Sequence, residues 1–349
     1  MDLLENRLAN FCFADLLITM FLYWGNMAFN KSSLLSFYDK PIIRYSSTID
    51  SDKLTSDSVS TINYQSSKKY SISDIANIGI LLLHLALTLL LGIRWYISGH
   101  FPVSNLYESL YFLTWGIASL HLYLTLTTDL KWVGIITSPI CLLVVAFASL
   151  VLPEDMQISS PLVPALQSNW LFMHVTIIMA SYASLSIGGL FCMGSIVSGI
   201  ISLNLGKEDE PKYMKDGITE IKVFFSRLAD QMDQLGYRTI SLGFPLLTIG
   251  IVAGAVWANE AWGSYWNWDP KETAALISWL VFVIYFHNRI SKYNEIDNVE
   301  ITNNVSVLEE TLITRQSSFI GALGFIMIWV CYIGINLLAQ GLHSYGWFL

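Results

Sequence analysis

The sequence predicts an all-α polytopic integral membrane protein with about eight transmembrane helices and an external Trp-rich loop. Three observations carry that reading. Hydrophobic residues fill 54% of the 349 positions and charged residues 13%, for a mean hydropathy of +0.51. Separate apolar runs are each long enough to cross about 30 Å of hydrocarbon at about 1.5 Å per residue. Lys and Arg collect in alternate loops, as the positive-inside rule requires of a chain that crosses repeatedly.

The predicted spans are 11–29, 75–97, 106–126, 132–152, 171–203, 240–258, 273–293 and 319–338. The fifth is the longest and is expected to tilt or to project beyond the bilayer. The start, Met1-Asp-Leu-Leu-Glu-Asn-Arg7, lacks the basic opening and small-residue cleavage site of a removable signal, so the first span is expected to be retained. Residues 30–74, rich in Ser, Asp and Lys, read as a polar cytoplasmic or stromal loop. Residues 75–349 read as one membrane domain. Between spans five and six, Ile218, Ile221, Phe224, Phe225 and Leu228 recur at helical spacing, which predicts a surface helix lying on the membrane. All but three of the 19 Lys and Arg, namely Arg7, Arg94 and Lys271, fall on one side. That side is cytoplasmic or stromal, and both termini and the Trp-rich loop face the other compartment.

A net charge of -8 without a basic cluster argues against nucleic acid. Cys12, Cys141, Cys192 and Cys331 stand singly in apolar runs and read as packing residues. No Cys-x-x-Cys occurs, so neither a zinc site nor a dithiol centre is supported.

The segment 257–272 concentrates Trp257, Trp262, Tyr265, Trp266 and Trp268 between two apolar runs. One or two rings suffice to anchor a helix at a membrane interface, whereas this density offers a surface suited to a flat apolar ligand. It closes on a helix start: Asp269 as N-cap, Pro270 at N1 and Glu272 at N3, where it reaches back to the cap backbone.

The six histidines gain meaning from this topology. His174, in the first turn of span five, and His343, beyond span eight, fall on the side of the Trp-rich loop. A membrane-interface His bonded to a carbonyl is the ordinary reading of either one. Two beside an aromatic platform favour a pair of neutral imidazoles facing across haem iron. His287 lies 14 residues past Thr273, about 21 Å down its helix, too far to reach the same metal. An intramembrane His marks a second binding station, against the alternative of snorkelling to the interface beside Asn288 and Arg289. His84 and His121 fall in the inner half, and either could pair with His287. His100 reads as structural.

The run Trp262-Gly-Ser-Tyr-Trp-Asn-Trp-Asp-Pro-Lys-Glu272 resembles the WWD signature of haem-handling proteins. With His174 before it and His287 and His343 after it, the chain resembles the CcsA family of System II cytochrome c biogenesis. Arg94-Trp95 and Gly99-His-Phe-Pro-Val-Ser-Asn-Leu-Tyr-Glu-Ser109 are similar to that family too.

The resemblance implies a cytochrome c maturation factor that works with the membrane protein CcsB, forming the haem-presenting part of a haem lyase complex. It implies that His174 and His343 are axial ligands of haem b on the lumenal or periplasmic side. Trp262, Trp266, Trp268 and Asp269 then belong to the loop that presents haem to an apocytochrome c. It also implies that His287 ligates haem within the membrane opposite a ligand from CcsB, which leaves His84 and His121 without an iron-binding role. The chemistry it implies is addition of two haem vinyl groups to the thiols of a Cys-x-x-Cys-His segment. This chain has no such segment, so its substrate is another protein, and a thiol-reducing membrane protein is a possible further partner. The expected location is a thylakoid membrane, otherwise a bacterial inner membrane.

Two other classes compete. A haem exporter or chaperone would deliver haem without attaching it. A quinol-linked electron carrier would want histidine pairs on facing helices and gives the Trp-rich loop nothing to do.

Overall fold

Lipid offers backbone groups no hydrogen-bond partner, so each apolar run must satisfy its amides internally, and every long element here is helical. The computed structural model describes residues 2–29, 72–128, 130, 132–158, 167–205, 212–300 and 307–337. Among the described residues are eight helices long and apolar enough to cross a membrane, and the chain is an integral membrane protein. They are α1 Asp2–Phe29, α2 Ile72–Ser98, α3 Leu106–Thr128, α4 Val133–Ala146, α5 Asn169–Asn204, α6 Lys212–Trp262, α7 Pro270–Glu300 and α8 Val307–Trp329. Helix α4 runs on into a π-helical turn, Phe147–Val151, and α8 into another, Val330–Gly334.

All eight expected spans coincide with these helices. Two expectations change. The surface helix expected between spans five and six does not exist as a separate element, because residues 212–262 form one 51-residue helix. No Pro occurs between 212 and 244, so a helix begun at Lys212 meets no terminator where the sequence turns from mixed-charge to apolar. The longest helix is therefore α6 rather than α5, which has 36 residues. The 30–74 loop lies almost wholly outside the described residues.

Helices α1 to α4 form one group, and α5 joins it to α6, α7 and α8. Along α1 the buried residues Ala9, Cys12, Leu16, Thr19, Tyr23 and Asn26 follow a three-four spacing, the seam of antiparallel helix packing. The α5–α6 pairing is closer still. Gly236, Gly243 and Gly250 recur every seven residues, and a Cβ would fall 3.1 Å from Cys192 Sγ, 2.7 Å from Leu185 Cγ and 2.7 Å from Ile178 Cδ1. Small residues at that interval let the two backbones approach, the usual source of tight contact where lipid provides no hydrophobic drive.

Polar knots tie each end of the bundle. At one end the Asp233 carboxylate accepts from both terminal nitrogens of Arg289 (2.7 and 2.5 Å) and from Ser318 (2.8 Å), joining α6, α7 and α8. At the other end, buried Arg94 of α2 donates to Glu108 of α3 (2.7 Å), to Glu5 of α1 and to the Gln157 carbonyl (2.5 Å). Ser109 of α3 lies 2.7 Å from the Tyr332 hydroxyl after α8, so this second end also gathers the far end of α8.

Candidate haem-handling site

The second end carries the Trp-rich loop, and its local geometry follows the sequence. Glu272 accepts from the backbone N–H of Asn267 (2.8 Å) and of Asp269 (3.2 Å), while Asp269 accepts from the Lys271 N–H at 3.4 Å. This is the expected reciprocal cap at the start of α7. Gly263 takes φ +76° as α6 ends, with its N–H on the Asn259 carbonyl at 2.9 Å. That left-handed turn suits a residue without Cβ. Trp268 also lies in the left-handed region, φ 57°, where a bulky side chain is disfavoured.

The rings do not form one continuous platform. Trp257 is buried and packs edge-on against Trp262 at 4.7 Å between centroids. Trp266 and Trp268 form a second perpendicular pair at 6.0 Å. Trp268, 71% exposed, and Tyr265, 60% exposed, are the rings turned outward. Helical phase explains the split: Trp257 is still within α6 and faces the bundle, whereas Trp266 and Trp268 follow the chain break at Gly263.

His174 lies at the same end. Helix α5 begins at Ser168, whose hydroxyl accepts from the Trp170 N–H (3.2 Å) and donates to Glu260 of α6 at 2.5 Å. The start of α5 is thus tied to the margin of the Trp-rich loop. His174 Nδ1 lies 2.7 Å from the Gly250 carbonyl. A carbonyl only accepts, so Nδ1 carries the proton and Nε2 the lone pair. Gly254, one turn on, lets the imidazole lie against α6, since a Cβ there would come within 2.6 Å of Nδ1. A metal-binding His is commonly oriented by just such a bond from its other nitrogen.

His287 is exposed on α7, two residues before Arg289. His121 is buried, with Nδ1 2.6 Å from Thr137 and Nε2 3.2 Å from the Tyr23 hydroxyl. His84 stacks on Trp115 of α3. His84 on α2 and His121 on α3 sit on helices that pack on α1, α4, α5 and each other, whereas α7 packs on α6 and α8, so neither is brought beside His287. His100 bonds locally, with Nδ1 3.2 Å from the Phe101 carbonyl. His343 lies outside the described residues. Among the described residues no group of three or more His, Cys, Asp or Glu side chains could hold a metal ion.

Several positions at this end had no assigned role in the sequence reading. Gly250 and Gly254 seat His174, and the seven-residue glycine interval was the available signal for Gly250. Lys271 donates from Nζ to Asn336 at 3.0 Å and pins the start of α7 to the chain after α8. A cation in a first helical turn opposes the macrodipole, which was a hint of such a partner. Glu108 accepts from the Ser104 N–H and hydroxyl, both at 2.7 Å, besides pairing with Arg94. Asn105 caps α3 by accepting from the Glu108 N–H at 2.8 Å. The 99–109 motif is therefore a braced loop.

The sequence model described as cytochrome C assembly protein matches residues 103–343. A cytochrome c biogenesis protein CcsA from Mesostigma viride is 42% identical over 354 residues, covering 99% of this chain and 98% of its own. Another from Picosynechococcus sp. is 38% identical over 392 residues and covers 100% of both. A third, from Synechocystis sp., is 39% identical over 385 residues, with 99% and 98% covered. Matched from end to end by such relatives, the chain belongs to the CcsA family of cytochrome c assembly proteins.

Proposed function

We propose that this protein serves cytochrome c maturation by holding haem b at the Trp-rich end of its bundle and presenting it to an apocytochrome c. The observation that carries the reading is the His174 imidazole. Its Nδ1 donates to the Gly250 carbonyl, which orients the ring and puts the lone pair on Nε2, at the bundle end that carries the loop bearing Trp262, Trp266, Trp268 and Asp269.

In this reading His343 supplies the opposite ligand, and the end carrying both faces the lumen or periplasm of a thylakoid or bacterial inner membrane. His287, exposed on α7, is the intramembrane station. Its outward position suits a second ligand from the partner CcsB. Asp269 shapes the loop through its cap, and Trp266 and Trp268 flank the macrocycle.

Attachment adds each thiol across a haem vinyl group. Sulfur bonds to one vinyl carbon and the thiol proton goes to the other, with no net electron transfer. Both thiols must arrive reduced, which is the task of a separate thiol-reducing protein. Burial of the porphyrin and fixed axial ligands supply proximity and orientation, worth roughly 7 to 11 kcal/mol in favourable cases.

Purification of the chain with CcsB, followed by absorption and resonance Raman spectra, tests the reading. His174→Ala or His343→Ala should remove the external bis-His signature and abolish cytochrome c maturation. Intact haem content and maturation in both variants would refute it. A loaded protein that yields no covalent product with an apocytochrome peptide would make it a haem carrier that does not perform ligation.

A further inference from the structure

We propose that the groove between the start of α1 and the second half of α2 is a lipid site. It takes one acyl chain of a phospholipid whose anionic headgroup rests on Arg7 and Tyr96. The site lies on the flank of the bundle and stands apart from the haem sites proposed above.

The groove encloses about 520 Å³, and Leu4 of α1 faces Leu85, Thr88, Leu89, Gly92 and Tyr96 of α2 across it. Thr88 is its one polar side chain below Tyr96. The Thr88 hydroxyl donates to the His84 carbonyl (2.7 Å) and accepts from Trp115 Nε1 (2.9 Å), so its hydrogen is spent inside the bundle. A ligand therefore finds no side-chain donor below Tyr96. A polar molecule would give up its solvation there without replacement, whereas a hydrocarbon chain gives up nothing.

The depth of the groove matches one leaflet. Leu85 and Tyr96 are eleven residues apart, about 16 Å along the helix axis. Half of a hydrocarbon core about 30 Å thick is about 15 Å. Helix α2 ends at Ser98 on the Trp-rich side, so the groove occupies that leaflet and closes near the midplane, where a lipid tail also ends. A transmembrane helix of another chain would run on through the second leaflet, past the point where the groove stops.

Gly92 keeps the middle of the groove open. A Cβ there would meet nothing within 4 Å, so no packing inside the protein requires glycine. A glycine within a helix costs about 1 kcal/mol relative to Ala, and space for a ligand offsets that cost.

Charge selects the headgroup. Three Lys or Arg fall on the Trp-rich side, and two of them turn inward: Arg94 to Glu108, Glu5 and the Gln157 carbonyl, and Lys271 to Asn336. Arg7 is the exposed one, a single turn along α1 from Leu4. Its side chain snorkels to headgroup level, where Tyr96, 82% exposed, presents a hydroxyl. A guanidinium makes charge-assisted bonds to a phosphate diester, and a choline beside that phosphate would oppose them. A bound lipid bridges α1 and α2 where Glu5 reaches Arg94, which should steady the start of α1.

The test titrates the full-length chain in detergent with dioleoyl phosphatidylglycerol or dioleoyl phosphatidylcholine and reads bound lipid by native mass spectrometry. One phosphatidylglycerol should be held at least about tenfold more tightly than phosphatidylcholine, the equivalent of about 1.4 kcal/mol. Gly92→Leu, which fills the groove, should weaken both lipids at least about tenfold and remove the rise in melting temperature that phosphatidylglycerol gives the parent chain. Arg7→Gln should erase the preference and leave phosphatidylcholine binding as it was. Equal affinity for the two lipids in the parent chain, or phosphatidylglycerol binding indifferent to Gly92→Leu, would overturn the proposal. So would a photo-crosslinker placed on Gly92→Cys in native membranes that captures a protein helix instead of lipid. Should Gly92→Leu not fold, Arg7→Gln decides: a preference that survives it refutes the site.

Discussion

The Gly250 carbonyl, 76 residues along the chain from His174, accepts the imidazole Nδ1 proton at 2.7 Å, and Gly254 leaves the space into which the ring fits. Neither glycine touches substrate, yet together they set the tautomer and the position of the proposed ligand. A Cβ at 254 would lie 2.6 Å from Nδ1 and 2.7 Å from Cε1, well inside van der Waals contact. Gly254→Ala should therefore abolish external haem binding nearly as fully as His174→Ala. Imidazole added to the double variant Gly254→Ala, His174→Gly should restore the haem band, because the added ligand does not need the seat.

Trp268 holds φ at 57°, a conformation that costs a residue with a Cβ roughly 1–2 kcal/mol. Trp268→Gly should raise thermal stability while lowering cytochrome c maturation in cells. A variant that melts lower would show that the ring contributes to packing, contrary to its 71% exposure.

Glu272 holds two backbone N–H groups of the loop, at Asn267 and Asp269. Glu272→Ala should cost about 0.5–2 kcal/mol of stability, the range for lost helix caps. Protease cleavage within 263–269 should rise with it, whereas Glu272→Gln, which keeps an acceptor, should cost less.

Arg94 and Glu108 form a buried pair at 2.7 Å with no water-facing escape for either. Removing one partner strands the other, so Arg94→Ala should destabilise by about 3–5 kcal/mol. Thermal denaturation in detergent reads this directly. Arg94→Met with Glu108→Gln should recover much of the loss.

Asp15 lies midway along α1, and its Oδ2 is buried with no hydrogen-bond partner among the described residues. Asp15→Leu should raise the melting temperature, since an unsatisfied buried polar group costs about 1–3 kcal/mol. A lower melting temperature would show that the carboxylate has a partner in the folded chain.

The sequence alone determined the number and placement of the spans, because the bilayer asks every crossing segment for the same simple property, some twenty apolar residues. It determined the start of α7 as well, since Asp269, Pro270 and Glu272 act on backbone groups within four positions of one another. It did not determine where α6 begins: hydropathy reports immersion in lipid, and a helix continues past the lipid until something stops it. Nor did it determine which rings of the Trp-rich stretch face outward, because Trp257 takes its direction from α6 and Trp268 from a left-handed turn. Only the tertiary structure decided the state of the imidazoles. His174, His84 and His121 are the same residue in similar apolar runs, and they differ in what another helix offers them: a carbonyl, a tryptophan ring to stack on, or hydroxyls on both sides. A hydrogen-bond partner far along the chain exists only once helices have packed, and that packing is why one imidazole is seated against α6 at the Trp-rich end while another is sealed in the core.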